Sequence, residues 1–269
     1  MTEPDLSPAA RRALAGLDPE QRAAALAVRG PVCILAGAGT GKTRAITHRI
    51  AYAVATATVP AENVLAVTFT ARAAGELRTR LRLLGAVGVQ ARTFHAAALR
   101  QLSYFAPQIL GGSLPSVTDN PIRWVSQAAN RLRMRTDRAE LRDLAAEIDW
   151  AKSSLVTPQD YPAAAIRANR GISVPAGRVA EVYAGYEEAK RRNNEVDFAD
   201  LLLIMAGALE EVPEVARAVR AQYRYFVIDE YQDVSPLQQR LLDGWLGGRQ
   251  DLCVVGDANQ TIYSFAGAR

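Results

Sequence analysis

The spacing of apolar positions changes several times along the chain, and the changes mark its elements. Short apolar runs at Val32–Leu35, Val64–Phe69, Tyr225–Ile228 and Leu252–Val255, with a further one around Val87 to Arg92, have the length of strands and are bounded by turn residues. Between them apolar residues recur at helical spacing, as at Ile46, Ile50 and Val54. Strands alternating with helices predict an α/β domain whose parallel sheet is covered on both faces. From about residue 104 to 190 the strands stop. Helical segments take over at Ile122 to Arg133, Arg138 to Ala151, Pro158 to Ala168 and Gly177 to Arg192, the last with Val179, Val182, Tyr183 and Tyr186 on one stripe. This pattern predicts an all-α insertion within the α/β domain. Residues 1–16 read as a loosely ordered leader. Leu17-Asp18-Pro19-Glu20-Gln21 reads as a helix start, with Asp18 as N-cap, Pro19 at the first helical position and Gln21 closing a capping box.

Composition narrows the setting. The 269 residues, 49% of them hydrophobic, can bury a full core and suit one large or two modest domains. The N-terminus lacks a charged-then-apolar leader, and no run is long and uncharged enough to cross a bilayer, so a soluble cytoplasmic protein without a membrane partner is expected. Cys33 and Cys253 both lie in apolar runs and read as buried core thiols in a reducing compartment. The net charge of +4 is carried almost wholly by arginine, since lysine stands only at 42, 152 and 190. Such an excess fits a nucleic-acid partner without establishing one.

The first of those lysines sits where an amine is chemically required. Ala36-Gly37-Ala38-Gly39-Thr40-Gly41-Lys42-Thr43 follows an apolar strand and opens a helix, the setting of a phosphate-binding loop. Glycines let backbone N–H groups wrap a triphosphate, and the helix N-terminus favours negative charge. Lys42 can reach the outer phosphates, and Thr43 can offer a hydroxyl to Mg²⁺. Phe226-Val227-Ile228-Asp229-Glu230 is an apolar strand ending in two acids. Alone it would fit an ordinary strand terminus. Paired with the phosphate loop, Asp229 suits the Mg²⁺ shell and Glu230 the polarisation of an attacking water. A further strand ends in Gly256-Asp257-Ala258-Asn259-Gln260. In hydrolases with a glutamate beside the metal aspartate, such a strand lies between the phosphate-loop and metal strands, making Gln260 the candidate γ-phosphate sensor.

The order of segments AGAGTGKT, VTFTARAA, TFH, VDFADLL, DEYQD and VGDANQTIYSFAGA resembles the UvrD/Rep/PcrA group of superfamily 1A DNA helicases. The match covers their N-terminal RecA-like lobe with its inserted helical subdomain, and the Ala- and Arg-rich composition resembles that of a high-GC, actinobacterial member. The resemblance implies, after the leader at 1–16, a RecA-like P-loop NTPase domain from 17–103 and 191–269 and a helical subdomain at 104–190. It implies ATP and Mg²⁺ as cofactors, with single-stranded DNA and single-strand/duplex junctions as partners, alongside possible repair proteins. Gln21 matches the glutamine that reads adenine, Arg44 an arginine near the nucleotide, and Gln232 a residue coupling nucleotide state to the DNA track. Phe69, Tyr263 and Phe265 match aromatics that stack on bases, while Thr93 and His95 match a DNA-backbone-contacting motif. Read without the resemblance, Gln21 is just a capping residue, the aromatics are as readily core residues at strand ends, and a lone histidine is more often a packed or capping residue. Ala71, Arg72, Ala96 and Ala266 depart from the family pattern, the last by replacing an arginine. The implied whole is an ATP-dependent 3′–5′ helicase of DNA repair or replication, completed by a second RecA-like lobe. A non-motor ATP-dependent DNA-binding module and the motor of an AddA/RecB-type helicase–nuclease are the alternatives.

Overall fold

The computed structural model describes residues 6–37, 39 and 41–257. In chain order the elements are α1 (Pro8–Leu14), α2 (Pro19–Leu26), β1 (Val32–Leu35), α3 (Lys42–Ala55), β2 (Val64–Thr68), α4 (Ala71–Leu83), β3 (Gln90–Thr93) and α5 (Phe94–Leu110). There follow β4 (Ser116–Val117), α6 (Pro121–Arg131), α7 (Arg138–Ser153), α8 (Tyr161–Arg167), α9 (Ala176–Arg192), β5 (Glu195–Val196) and α10 (Phe198–Glu211). The last are α11 (Pro213–Gln222), β6 (Tyr225–Ile228), α12 (Pro236–Leu246) and β7 (Leu252–Gly256). No helix among the described residues is long and apolar enough to cross a membrane.

The chain forms two compact units, one from residues 1–101, 208–234 and 242–269, the other from 102–207 and 235–241. The first is built on a five-stranded sheet of order β1-β7-β6-β2-β3, every neighbouring pair parallel. β7 therefore lies between the phosphate-loop strand β1 and the acid-tipped strand β6, as the pairing of glutamate with aspartate predicts. Alternation along the strands divides the core. Tyr225 and Val227 of β6, with Val64 and Ala66 of β2, pack with Ile46 and Ile50 of α3 and Leu77 and Leu81 of α4. Phe226 stacks instead on Trp245, which in turn stacks on Phe94.

Two expectations are corrected in this unit. Pro8–Leu14 is a capped helix rather than part of a loose leader: Ser7 Oγ accepts the Ala10 N–H, and Leu6, Ala10, Ala13 and Leu14 enter the core. Cys253 is buried, but Cys33 is exposed. β1 is an edge strand, and while Val32 and Ile34 pack against the core, the alternate residues Cys33 and Leu35 do not, Leu35 being 61% exposed.

The second unit is mainly helical, around a core of Val125, Leu144, Ile148, Val179, Val182 and Tyr186. The expected stripe on α9 faces this core, and a Cβ on Gly185 would come within 2.9 Å of Ala128 Cβ on α6. Asp137 and Glu140 form a capping box at the start of α7. The unit is not wholly helical, since β4 and β5 pair in parallel.

Candidate functional site

The nucleotide-type loop is shaped by backbone conformations that only glycine adopts freely. Gly39 and Gly41 both have φ of 79°, and α3 begins immediately afterwards at Lys42. Gly41 is needed for space as well, since a Cβ there would lie 2.5 Å from Gln21 Nε2. At the loop's other end the Ala36 N–H donates to the Gly256 carbonyl at 3.1 Å, extending the β1–β7 ladder to the sheet's C-terminal edge. Open parallel sheets bind ligands at that edge.

The acids arrive there from β6. Asp229 N–H donates to the Val67 carbonyl at 3.0 Å, holding the end of β6 against β2. Glu230 then turns into the left-handed region, with φ 50° and ψ 44°. For a non-glycine residue this costs about 1–3 kcal/mol, which the surrounding structure must offset. The turn brings Glu230 Oε2 to 3.7 Å from Lys42 Nζ. It also lets the Glu230 N–H donate to Asp229 Oδ1 at 2.9 Å. Glu230 Oε2 accepts from Gln232 Nε2 at 2.6 Å, and Gln232 Oε1 accepts the Asp257 N–H at 3.2 Å. Burial pushes the Asp229 carboxyl above the usual range, the neighbouring Glu230 charge adds to this, and the Glu230 N–H and Lys42 partly counter it. Asp233 is raised for similar reasons, burial first and then Glu230.

These residues fit a magnesium–triphosphate group. Gly39 and Gly41 stand just ahead of a helix N-terminus, the ammonium supplies countercharge, and Asp229 is a desolvated hard-oxygen donor whose ionised form a cation would favour. Lys42, Asp229, Glu230, Gln232 and Gln21 are thus gathered around one end of one sheet. Arg44 Nη2 donates to the Gly16 carbonyl at 2.8 Å. Gln21 also performs the capping role, accepting the Asp18 N–H at 3.2 Å while Asp18 accepts its own.

The DNA candidates divide. Phe69 is half-buried and meets Phe94 edge-on at 6.0 Å. Thr93 Oγ1 accepts the Ala96 N–H at 3.1 Å and so caps α5, and His95 is half-buried in that helix's first turn. Ala38, Thr40, Gln260, Tyr263, Phe265 and Ala266 lie outside the described residues. Sequence reading missed the Gln232 bridge and the Phe94–Trp245–Phe226 stack. Trp245 offered no motif, although its size and apolar flanks were a signal of core placement.

Residues 17–269 match the family described as the UvrD/REP helicase N-terminal domain. The chain is 54% identical over 266 residues to "ATP-dependent DNA helicase UvrD2" of Mycobacterium tuberculosis, an alignment covering 95% of this chain and 38% of that protein. It is 36% identical over 270 residues to "ATP-dependent DNA helicase UvrD1" of the same species, covering 95% of this chain and 34% of the relative. To "ATP-dependent DNA helicase PcrA" of Bacillus subtilis it is 33% identical over 260 residues, with coverage of 95% and 34%. The chain thus spans less than two-fifths of the length of each of these relatives. On the match over residues 17–269, this chain belongs to the UvrD/REP helicases, as their N-terminal domain.

Proposed function

We propose that the chain is the first motor half of an ATP-dependent 3′–5′ DNA helicase of repair or replication, acting in the cytoplasm on single-stranded DNA and its junctions with duplex. The unit built on the five-stranded sheet would form its RecA-like lobe and the mainly helical unit its inserted subdomain. The observation that carries the reading is the approach of Lys42 Nζ to within 3.7 Å of Glu230 Oε2, from segments distant in sequence. A phosphate loop and an acid pair converging on one point suit hydrolysis of a nucleoside triphosphate.

In this reading Lys42 binds the outer phosphates, Gln21 and Arg44 lie on the nucleotide's base and sugar side, and Thr43 and Asp229 hold Mg²⁺. Bound magnesium would neutralise charge developing on the β- and γ-phosphates. Glu230 orients a water and accepts its proton as the oxygen attacks the γ-phosphorus. The bond to the β–γ bridging oxygen breaks, and ADP departs with that electron pair. Gln260 senses the γ-phosphate. Phe69, Tyr263 and Phe265 stack on bases, and Thr93 and His95 contact the strand's backbone.

ATP turnover by the full-length gene product, with and without single-stranded DNA, tests this. DNA should stimulate turnover, and Lys42→Ala or Glu230→Gln should each lower the stimulated rate about 10²-fold or more, the size of a lost countercharge to the transferring phosphoryl group in the first and of a lost general base in the second. Near-normal turnover in either variant overturns the reading. A wild type that hydrolyses ATP without DNA stimulation identifies a non-motor module instead.

A further inference from the structure

We infer that Gln232 is a positioning residue for the hydrolytic glutamate, a two-ended amide that ties the Glu230 carboxylate to the tip of β7. The inference rests on the reading of Glu230 as the base.

Both ends of the amide are engaged with the appropriate polarity. Its Nε2 donates to Glu230 Oε2 at 2.6 Å, and its Oε1 accepts the Asp257 N–H at 3.2 Å. A carboxylate only accepts and a backbone N–H only donates, so the two partners fix the orientation of the amide. No other neutral side chain of this length offers a donor and an acceptor on one rigid plane. Gln232 is itself only 8% exposed, so its links are shielded from competing water. It is packed against the strand end, since a Cβ on Gly256 would meet Gln232 Oε1 at 3.0 Å.

The need for such a tie follows from the backbone. Glu230 occupies a left-handed conformation that its residue type does not favour. Its side chain is 39% exposed, so packing alone does not fix its rotamer. Lys42, at 3.7 Å, is too distant for a strong hydrogen bond and is itself drawn toward phosphate in the proposed reaction. Gln232 supplies the short directional contact that remains, and it refers the carboxylate to β7, the strand between the phosphate loop and the acids. A base displaced by about 1 Å can lose about 10²-fold in rate.

The test compares Gln232→Glu with Gln232→Met in the full-length protein at neutral pH. Glutamate is isosteric and keeps the acceptor for Asp257, but it replaces the donor facing Glu230 with a second carboxylate. Methionine fills the space and removes both bonds. A positioning role predicts that DNA-stimulated kcat falls at least tenfold in both, and further in the glutamate variant. The dissociation constant for a fluorescent ATP analogue should stay within about threefold of wild type and the melting temperature should be retained. A role in packing alone predicts the reverse order, with glutamate the milder change. The inference is overturned if Gln232→Glu turns over at the wild-type rate, if the loss follows melting temperature, or if it falls on nucleotide affinity with kcat unchanged. If wild type itself shows no ATP turnover, the proposed function fails and this inference with it; an active wild type with an active Gln232→Glu variant removes the inference alone.

Discussion

Asp229 is a carboxylate kept where water is scarce, and its burial pushes its pKa above the usual range. A raised carboxyl binds its proton more tightly folded than unfolded. Its contribution to stability is therefore full below the unfolded value of about 3.9 and is lost as pH rises through the folded value. At neutral pH the ionised group opposes folding, and a bound cation would relieve that opposition. Asp229→Asn should consequently stabilise the ligand-free protein at pH 7, by about 0.5–2 kcal/mol as is usual when functional strain is removed, while abolishing Mg²⁺-dependent ATP turnover. Thermal melts of the two proteins across pH 4–8 check the sign: the advantage of the asparagine variant should grow with pH, and an advantage that shrinks excludes this account. That Lys42 and Glu230 come together was legible in the sequence because glycine spacing and a strand ending in acids mark both segments locally. Gln232 was legible only by position, since its bond to Asp257 depends on β6 and β7 being neighbours. Cys33 was misread because an apolar run does not say whether its strand lies at an edge.

Helices α7, α9 and α10 are joined by an ionic cluster that accounts for the other two lysines of the chain. Lys152 Nζ lies 2.7 Å from Glu187, 2.8 Å from Asp197 and 2.7 Å from Asp200. Lys190 reaches the same three carboxylates at 3.1, 2.9 and 2.5 Å, and the two residues' side chains are only 6% and 2% exposed. A compact ammonium points three donors in tetrahedral directions, whereas the five donors of a guanidinium are confined to one plane, and the close, three-dimensional grouping of these carboxylates suits lysine in an otherwise arginine-rich chain. Asp197 and Asp200 also accept each other's backbone N–H, capping α10. Burial pushes the Asp197 carboxyl up, but Lys152 and Lys190 outweigh it and hold the group well below the usual range. That stability is present above the unfolded value of about 3.9 and lost as pH falls below it. Lys190→Met leaves buried carboxylates undercompensated and should cost about 3–5 kcal/mol. Denaturant unfolding at pH 7 measures this, and a cost under about 1 kcal/mol would show that the cluster does not hold the helices. Helix ends with explicit caps, such as those begun by Asp18 and Asp137, could be placed from sequence. The first helix could not, because its buried face is largely alanine and gives little contrast, and β4 and β5 are too short to show a period.

At the scale of the molecule, alternation of strands and helices was enough to identify the class, and the Asp-Glu pair to anticipate β7 between β1 and β6. Composition could not say how much of a catalytic cycle one such lobe completes. The sheet edge assembles an amine, two carboxylates and a glycine-rich loop, which in the proposed reading bind a triphosphate and direct a water. Phosphoryl transfer also spreads negative charge over the equatorial oxygens, which hydrolases of this kind stabilise with arginines. Arg44 donates to the Gly16 carbonyl, so it is not disposed to serve there in this conformation. The resemblance implies that the arginines come from a second RecA-like lobe, and this chain spans 38% of UvrD2. We therefore expect the 269-residue chain alone to hydrolyse ATP about 10³–10⁵-fold more slowly than the full-length protein on single-stranded DNA, the range that an arginine supplied to the transition state contributes. Single-turnover measurements at saturating ATP separate this from weak binding. Comparable rates for the two proteins would mean that the residues of this lobe complete the charge cage themselves, and the two-lobe mechanism would have to be abandoned.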